Sequence, residues 1–223
     1  MLLLICDKIS ERFINRVNIK EIMEIAYLGP QGTFSYVAAK EYVQEQSIEA
    51  VLRPYKTIDS ALDALLAGEV ARAIVPESNT RLGLITDSCR VRELDELVTI
   101  GERVIRVRMG LGGIGDGGTI DVIYSKDRAL EQCTTYLERL FGVACGDLDV
   151  SSYVKLLESQ GKVVLMDSTT AGIERIALQR LENAAAIGPQ GAFELYGLSV
   201  YNSNVHDDKD ATTRFVVVEK KLG

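Results

Sequence analysis

Segments with a strand pattern alternate along this chain with segments of helical length, and this alternation restricts the possible folds more than any other feature. In the first third, short apolar runs are separated by stretches with apolar residues at helical spacing, which predicts strands over 25–28, 49–55 and 71–76 and helices over 33–46 and 57–67. Strands joined by helices pair in parallel through right-handed crossovers. The pattern therefore predicts an α/β fold.

The alternation continues to the end of the chain, across a break near 98–118 that includes the glycine-rich segment 112–118. It predicts a helix over 86–96, an extended segment over 98–111, strands over 121–124, 163–166, 184–187 and 214–218, and helices over 127–140, 151–159, 169–181 and 191–196. Two sets of strands divided by a break predict two lobes with mixed, mostly parallel sheets around a central cleft, as in type II periplasmic binding proteins. We predict an N-terminal extension over 1–23, a first lobe from 24–100 plus 189–223, and a second lobe from 101–188.

Composition and charge exclude several classes of protein. Of the 223 residues, 47% are hydrophobic and 26% are charged, which are the proportions of a globular chain. A formal net charge of −7 without any basic run argues against nucleic acid as a partner. Four scattered cysteines and a single histidine favour a reducing cytoplasm over a disulfide framework or a zinc site. No apolar run approaches the roughly 20 residues of a membrane span, so we expect no membrane partner.

Two predicted strand-to-helix turns carry residues suited to binding an anion. The turn over 29–33 places Gly32 and Thr33 at a helix start, and Ser168 and Thr169 begin a later helix. Backbone N–H groups at such a helix start face the carboxyl end of the preceding strand, where anions bind. Each motif alone is more typical of an ordinary turn with a capping hydroxyl.

Two other features have simpler interpretations. The glycine-rich segment 112–118 resembles a dinucleotide fingerprint, but a strand pattern follows it where the fingerprint needs a helix. We therefore predict a flexible hairpin or a loop between the lobes. His206 lies in a polar loop over 202–210, and we expect it to be solvated.

Motifs at both ends of the folded part point to one family. Residues 25–35 form a predicted strand, turn and helix start, and Thr213-Arg214-Phe215 lies on the last predicted strand. Further motifs between them occupy 75–80, 124–130, 168–169, 185–187 and 194–198. Together these motifs resemble the catalytic domain of prephenate dehydratase over residues from about 24 to 219.

The resemblance implies an enzyme, a carbon–oxygen lyase that converts prephenate to phenylpyruvate in phenylalanine biosynthesis without a cofactor or a metal. It implies that Thr213 is catalytic, because the family requires this threonine for activity. It also implies substrate contacts from Arg214, Phe215, Ser168, Thr169, Asn79, Ser78, Gly32, Thr33, Ser125 and Lys126. The expected setting is a cytoplasmic homodimer or larger assembly that binds a small dicarboxylate. Because the chain ends at Gly223, we expect no ACT regulatory domain.

The chain departs from the family pattern at two of these motifs. Where the family has glutamate before asparagine, this chain has Ser78, with Glu77 one place earlier. The histidine and proline that follow a serine in the family are replaced by Lys126 and Asp127. Two alternatives therefore stay open: a related decarboxylase that does not aromatise its substrate, and a non-catalytic module that binds a small carboxylate.

Overall fold

The computed structural model describes residues 22–81 and 83–221, which form two β-sheets with helices packed against them. Residues 1–21 of the predicted extension lie outside the described residues, and Met23 already begins the first strand. The strands, numbered in chain order, are β1 (Met23–Leu28), β2 (Ala50–Tyr55), β3 (Arg72–Asn79), β4 (Gly83–Leu84), β5 (Leu97–Arg106), β6 (Met109–Gly113), β7 (Val122–Ser125), β8 (Val163–Leu165), β9 (Ala184–Pro189), β10 (Ser199–Asn202) and β11 (Thr212–Lys220).

The helices follow the predicted positions with two exceptions. They are α1 (Phe34–Glu45), α2 (Ile58–Ala67), α3 (Arg90–Glu93), α4 (Asp127–Leu130), α5 (Thr134–Phe141), α6 (Val150–Ser159), α7 (Thr169–Gln179) and α8 (Gln190–Leu195). The helix predicted over 86–96 is only a 3₁₀ turn, Thr86–Ser88, followed by the short α3. The helix predicted over 127–140 is divided into α4 and α5, because the Asp207 carboxylate accepts from the Thr134 N–H at 2.9 Å and caps a new helix start. None of the described helices is long and apolar enough to cross a membrane.

Both sheets are mixed, as predicted. The first has the order β2-β1-β3-β11-β5, with β4 paired to β3, and the second has the order β10-β6-β9-β7-β8. The parallel pairs are β1–β2, β1–β3, β7–β8 and β7–β9. Antiparallel pairing is more extensive than expected, because β11 runs against both β3 and β5 and β6 runs against both β9 and β10.

The chain passes between the sheets twice, and the two crossing segments are hydrogen-bonded to each other. The Val107 N–H donates to the Ala211 carbonyl at 2.8 Å, and the Val205 N–H donates to the Met109 carbonyl at 2.7 Å. The predicted lobe boundaries fall at 100/101 and 188/189, whereas the chain changes sheet between β5 and β6 and between β10 and β11. The difference arises because β5 pairs with β11 along its whole length and because β10 was not predicted.

In each sheet the edge formed by the carboxyl ends of the parallel strands lies where the chain crosses to the other sheet. Strands β1, β2, β3 and β5 run in one direction, so their carboxyl ends lie at the edge of the first sheet from which the chain crosses over. In the second sheet the carboxyl ends of β7, β8 and β9 lie at one edge, and Met109, where the chain arrives, pairs with Pro189 at the end of β9. Ligands of α/β proteins bind outside such strand ends.

Each sheet is covered on both faces. Successive side chains of a strand point to opposite sides, so neighbouring residues pack in different clusters. On β1, Ile25 and Tyr27 pack in the cluster that includes α1, while Ala26 packs in the cluster that includes α2. In the second lobe one cluster includes Leu137 of α5, and the other includes Phe193 of α8. Burying one such large apolar side chain stabilises the fold by about 1.5–3 kcal/mol.

The glycine-rich segment 112–118 is a strand at its start rather than a flexible loop throughout. Gly112 and Gly113 belong to β6 and pair with β9 and β10. A Cβ atom on Gly113 would lie 2.6 Å from the Ala184 carbonyl oxygen, and one on Gly112 would collide with Phe193. These glycines let a helix and two strands approach β6 closely, which a local pattern search cannot reveal.

Candidate active site

A cavity of about 740 Å³ lies where the carboxyl ends of strands from both sheets meet. Ligand pockets commonly occupy roughly 300–1,000 Å³. Its lining comes from the ends of β1 and β2 in the first lobe and from the residues after β7 and β8 in the second: Leu28, Gly29, Pro30, Thr33, Ser35, Pro54, Tyr55, Lys56, Lys126, Asp167, Ser168 and Thr169. Four predicted site residues, Thr33, Lys126, Ser168 and Thr169, are therefore brought together.

Two of these residues cap helices that begin at the cavity. The Thr33 hydroxyl accepts from the Tyr36 N–H at 3.3 Å and lies within hydrogen-bond distance of two carbonyl oxygens, so it also holds the turn before α1. The Ser168 hydroxyl accepts from the Ala171 N–H at 3.0 Å at the start of α7. The side chains thus stabilise helix starts whose remaining N–H groups lie beside the cavity, which favours an anion there.

Thr213 is held by an asparagine on the neighbouring strand. The Asn79 amide Nδ2 donates to the Thr213 Oγ1 at 2.8 Å, across the paired residues of β3 and β11. The Arg81 N–H donates to the other end of the amide, Oδ1, at 2.9 Å, which agrees with this orientation of the side chain. Because Thr213 accepts this hydrogen bond, its hydroxyl is set to donate its own hydrogen to a further acceptor.

The threonine–asparagine pair and the cavity share one edge of the first sheet without sharing lining residues. Thr213 is the second residue of β11, and Asn79 ends β3. Strand β3 lies next to β1, whose carboxyl end leads into the cavity. Gly32, in the turn after β1, is buried against the second lobe: a Cβ built on it would lie 3.0 Å from the Ala192 Cβ. The predicted contacts thus form two groups along the cleft.

Arg214 is directed away from Thr213, because neighbouring residues of a strand alternate in direction. Its guanidinium forms ion pairs with Glu77 and with Glu102, the latter with 2.8 Å between Nε and Oε2. The hydrogen bond to Glu102 and the charge of Glu77 raise the pKa of Arg214. Glu77 is also paired with Arg92 at 2.6 Å. The contact between Arg214 and substrate stays a prediction, with the guanidinium held by these two carboxylates.

Three further residues predicted to contact the substrate lie within the strands or the core of the fold. Phe215 is 1% exposed and packs in the core beside α1. Ser125 is fully buried and donates to the Ile187 carbonyl at 2.6 Å. Ser78 stands in register with Arg214, on the strand position next to Asn79. Phe215 and Ser125 therefore support the strands that carry the site, and neither presents a surface to the cavity.

His206 differs from its expected solvated position. It is 4% exposed, and its Nε2 lies 3.0 Å from the Gln132 Oε1. The polar loop returns to the second lobe, where it also caps α5 through Asp207. The histidine is consequently part of the packing of the crossing segment.

Sequence analysis missed Lys56 and Asp167, which both line the cavity. Lys56 directly follows β2, and Asp167 precedes the cap of α7. The position of Lys56 after a strand is the same signal that pointed to the turn after β1. A lysine beside a turn is usually a solvated surface residue, so this position alone does not indicate a site.

Two α/β lobes with opposed strand ends and a cavity between them are the arrangement of a small-molecule-binding protein. The chain belongs to the prephenate dehydratase family, whose sequence model matches residues 25–147 and 148–222. The family indicates an enzyme.

Individual relatives support this assignment. The bifunctional chorismate mutase/prephenate dehydratase of Escherichia coli (strain K12) is 28% identical over 216 residues, covering 95% of this chain and 50% of that protein. The prephenate dehydratase of Lactococcus lactis subsp. lactis (strain IL1403) is 28% identical over 201 residues, covering 89% of this chain and 64% of that protein. The chain thus spans between half and two thirds of the length of these relatives.

A solved structure gives the same result for the fold. The prephenate dehydratase of Arthrobacter aurescens, in complex with L-Phe, is similar with a TM-score of 0.71 and 25% identity, over 90% of this chain and 61% of that one. The enzyme of Staphylococcus aureus subsp. aureus Mu50 has a TM-score of 0.65 at 24% identity, over 90% of this chain and 68% of that one.

Proposed function

We propose that this chain converts prephenate to phenylpyruvate, the dehydratase step of phenylalanine biosynthesis. The observation that carries the proposal is the hydrogen bond from Asn79 to Thr213, which sets the threonine of the Thr-Arg-Phe motif as a donor at the cleft edge. Membership of the family indicates prephenate as the substrate. The pair of Thr213 and Asn79 provides a hydrogen-bond donor able to act on it.

The chemistry asks for orientation more than for a strong acid. The ring carboxylate leaves as carbon dioxide, its bonding electron pair enters the ring, and the ring hydroxyl departs and takes a proton from solvent to become water. Aromatisation drives the reaction, so positioning of the substrate and polarisation of the leaving hydroxyl are the main tasks of the protein. A threonine is too weak an acid to supply the proton outright, and Thr213 therefore hydrogen-bonds the departing oxygen.

The cavity supplies binding of the substrate carboxylates in this proposal. Thr33, Ser168 and Thr169 contribute hydroxyl-bearing helix starts, and Lys126 contributes an ammonium. Prephenate is a dianion, and a cavity with these donors suits an anion better than a neutral ligand.

A second candidate is a related decarboxylase that releases carbon dioxide but retains the hydroxyl. The supporting observation is the position of Glu77, which forms ion pairs with Arg92 and Arg214 on the side away from Thr213. No carboxyl group thus replaces the family glutamate beside Asn79, where Ser78 stands. A missing proton source there would slow the loss of water more than the loss of carbon dioxide.

One experiment separates the possibilities. The purified chain is incubated with prephenate, and phenylpyruvate absorbance and carbon dioxide release are followed together. Equal amounts of both products support the dehydratase. Carbon dioxide without an aromatic product supports the decarboxylase, and saturable binding without either product would leave a binding module.

A further inference from the structure

The cavity has one lysine on each of its two walls. Lys56 directly follows β2 of the first sheet, and Lys126 directly follows β7 of the second. The two lysines are therefore carried by different lobes, and both line the space between the strand ends. A ligand that contacts both groups must bridge the lobes.

Neither lysine is neutralised by an ion pair with a described residue, unlike the arginines near the cleft. Arg214 is held by Glu77 and Glu102, and Arg92 is also held by Glu77. The cavity lining contains one carboxylate, that of Asp167, against the two ammonium groups. Two mobile point charges with strongly hydrated heads remain for a ligand, and the local balance is positive although the whole chain is negative.

We propose that Lys56 and Lys126 bind a dicarboxylate between them, one carboxylate for each lysine, and that Lys56 determines the preference for a dianion over a monoanion. This proposal rests on the proposed function for the identity of the dianion as prephenate. Prephenate carries two carboxylates, whereas phenylpyruvate keeps only one. Binding by both lysines therefore favours the substrate over the product.

This pair of lysines, Lys56 and Lys126, forms a clamp that acts on substrate binding rather than on the chemical step. An ammonium that stays on a departing carboxylate stabilises the substrate at least as much as the transition state, so it cannot accelerate decarboxylation. Removing it weakens binding of prephenate and leaves kcat unchanged or slightly raised. A catalytic role would instead lower kcat, which gives the proposal a distinctive kinetic signature.

The test compares Lys56→Met, Lys126→Met and Lys56→Arg with Lys155→Met, a control that removes an exposed lysine of α6 outside the cavity. Methionine keeps the apolar stem and removes the charge. Each cavity variant is expected to raise KM for prephenate about 10- to 100-fold, the range of a lost charge-assisted hydrogen bond, with kcat within about threefold. Lys56→Arg is expected to retain most of the affinity, and Lys155→Met all of it.

Direct binding separates this proposal from the proposed function. Calorimetric titration is done in the Thr213→Val background, with prephenate and with phenylpyruvate as ligands. The clamp is supported if Lys56→Met weakens prephenate binding at least tenfold and phenylpyruvate binding by much less, even when the native chain shows no turnover. It is overturned if Lys56→Met binds prephenate as tightly as Lys155→Met does. It is also overturned if no binding of prephenate is detected, whatever the turnover assay of the native chain shows.

Discussion

At the scale of single residues, the surroundings of Thr213 decide what its hydroxyl can do. The threonine is 9% exposed, so few water molecules compete for its oxygen. The amide of Asn79 donates to that oxygen, which polarises the hydroxyl and orients its hydrogen toward another acceptor. The same threonine on an open strand would have neither property.

Replacing Thr213 by valine, which has the same shape, tests this role. We expect kcat for prephenate to fall about 10²- to 10³-fold, the usual effect of removing one transition-state hydrogen-bond donor. Thr99→Val, at an exposed threonine of β5, is the matched control and is expected to leave kcat unchanged. Turnover by Thr213→Val within a few-fold of the native chain would contradict the assignment.

A pH prediction also belongs to a single residue. Tyr27 is 2% exposed, and burial raises its pKa to about 12. Above pH of about 10 the unfolded chain loses the phenolic proton while the folded chain keeps it, so the stability is present below this pH and falls as the pH rises toward 12. The free energy of unfolding should therefore decrease by up to about 1.4 kcal/mol per pH unit from this group.

Tyr27→Phe removes this dependence without removing the buried ring. In urea unfolding at several values between pH 8 and pH 11, the variant is expected to lose stability less steeply than the native chain above pH 10. Tyr153, whose pKa burial also raises to about 12, titrates in both proteins and cancels in the comparison. Identical slopes would show that Tyr27 ionises as easily in the folded state as in the unfolded one.

At the scale of elements, two helices have the same kind of cap and different surroundings. Thr57 accepts from the Ser60 N–H at the start of α2, and Ser168 accepts from the Ala171 N–H at the start of α7. Only Ser168 lines the cavity. The two caps therefore separate the contribution of a helix start to stability from its contribution to binding.

We expect Thr57→Ala and Ser168→Ala each to lower the free energy of unfolding by about 1 kcal/mol, because each leaves an N–H of the first turn without its side-chain acceptor. In steady-state kinetics only Ser168→Ala should raise KM for prephenate, by several-fold. An equal effect of both variants on KM would mean that α7 contributes nothing specific to the site.

At the scale of the whole molecule, the two lobes are packed together at the cleft and not merely tethered by the crossing segments. Phe34, at the start of α1, packs against buried clusters of both lobes. Gly32, two residues earlier, has a φ of +89° and lies against Ala192 of α8. The turn that shapes one wall of the cavity is thus also a contact between lobes.

Gly32→Ala is expected to destabilise the chain more than Gly68→Ala. Both glycines have positive φ, but Gly68, after α2, has open space around it, so its replacement measures the backbone effect alone, about 1–2 kcal/mol. At Gly32 the new Cβ would also meet the Ala192 Cβ at 3.0 Å, which adds a steric cost between lobes. Urea unfolding measures both, and equal losses would rule out a tight contact at this point.

Features that depend on neighbouring residues were predicted well. The helix over 57–67 and the strand over 71–76 were predicted, because helix capping and apolar spacing act over a few residues; the structure has α2 over Ile58–Ala67, capped by Thr57, and β3 over Arg72–Asn79. The division of the helix over 127–140 was not predicted, since the residue that caps α5, Asp207, lies far away in the sequence. Strand β10 was missed for a similar reason, because it is held by a ladder with β6, far away in the sequence.

The sequence by itself determined the alternation of strands and helices, the two-sheet α/β class and the motifs that mark the family, since these are recorded in local pattern and residue identity. Only the tertiary structure decided which of the motif residues meet. Strand alternation turns Arg214 to Glu77 and Glu102, and packing against α1 buries Phe215. Folding of the second lobe brings Lys126 to a cavity shared with Lys56. Register and lobe contacts join residues distant in the chain, so no local pattern could contain them.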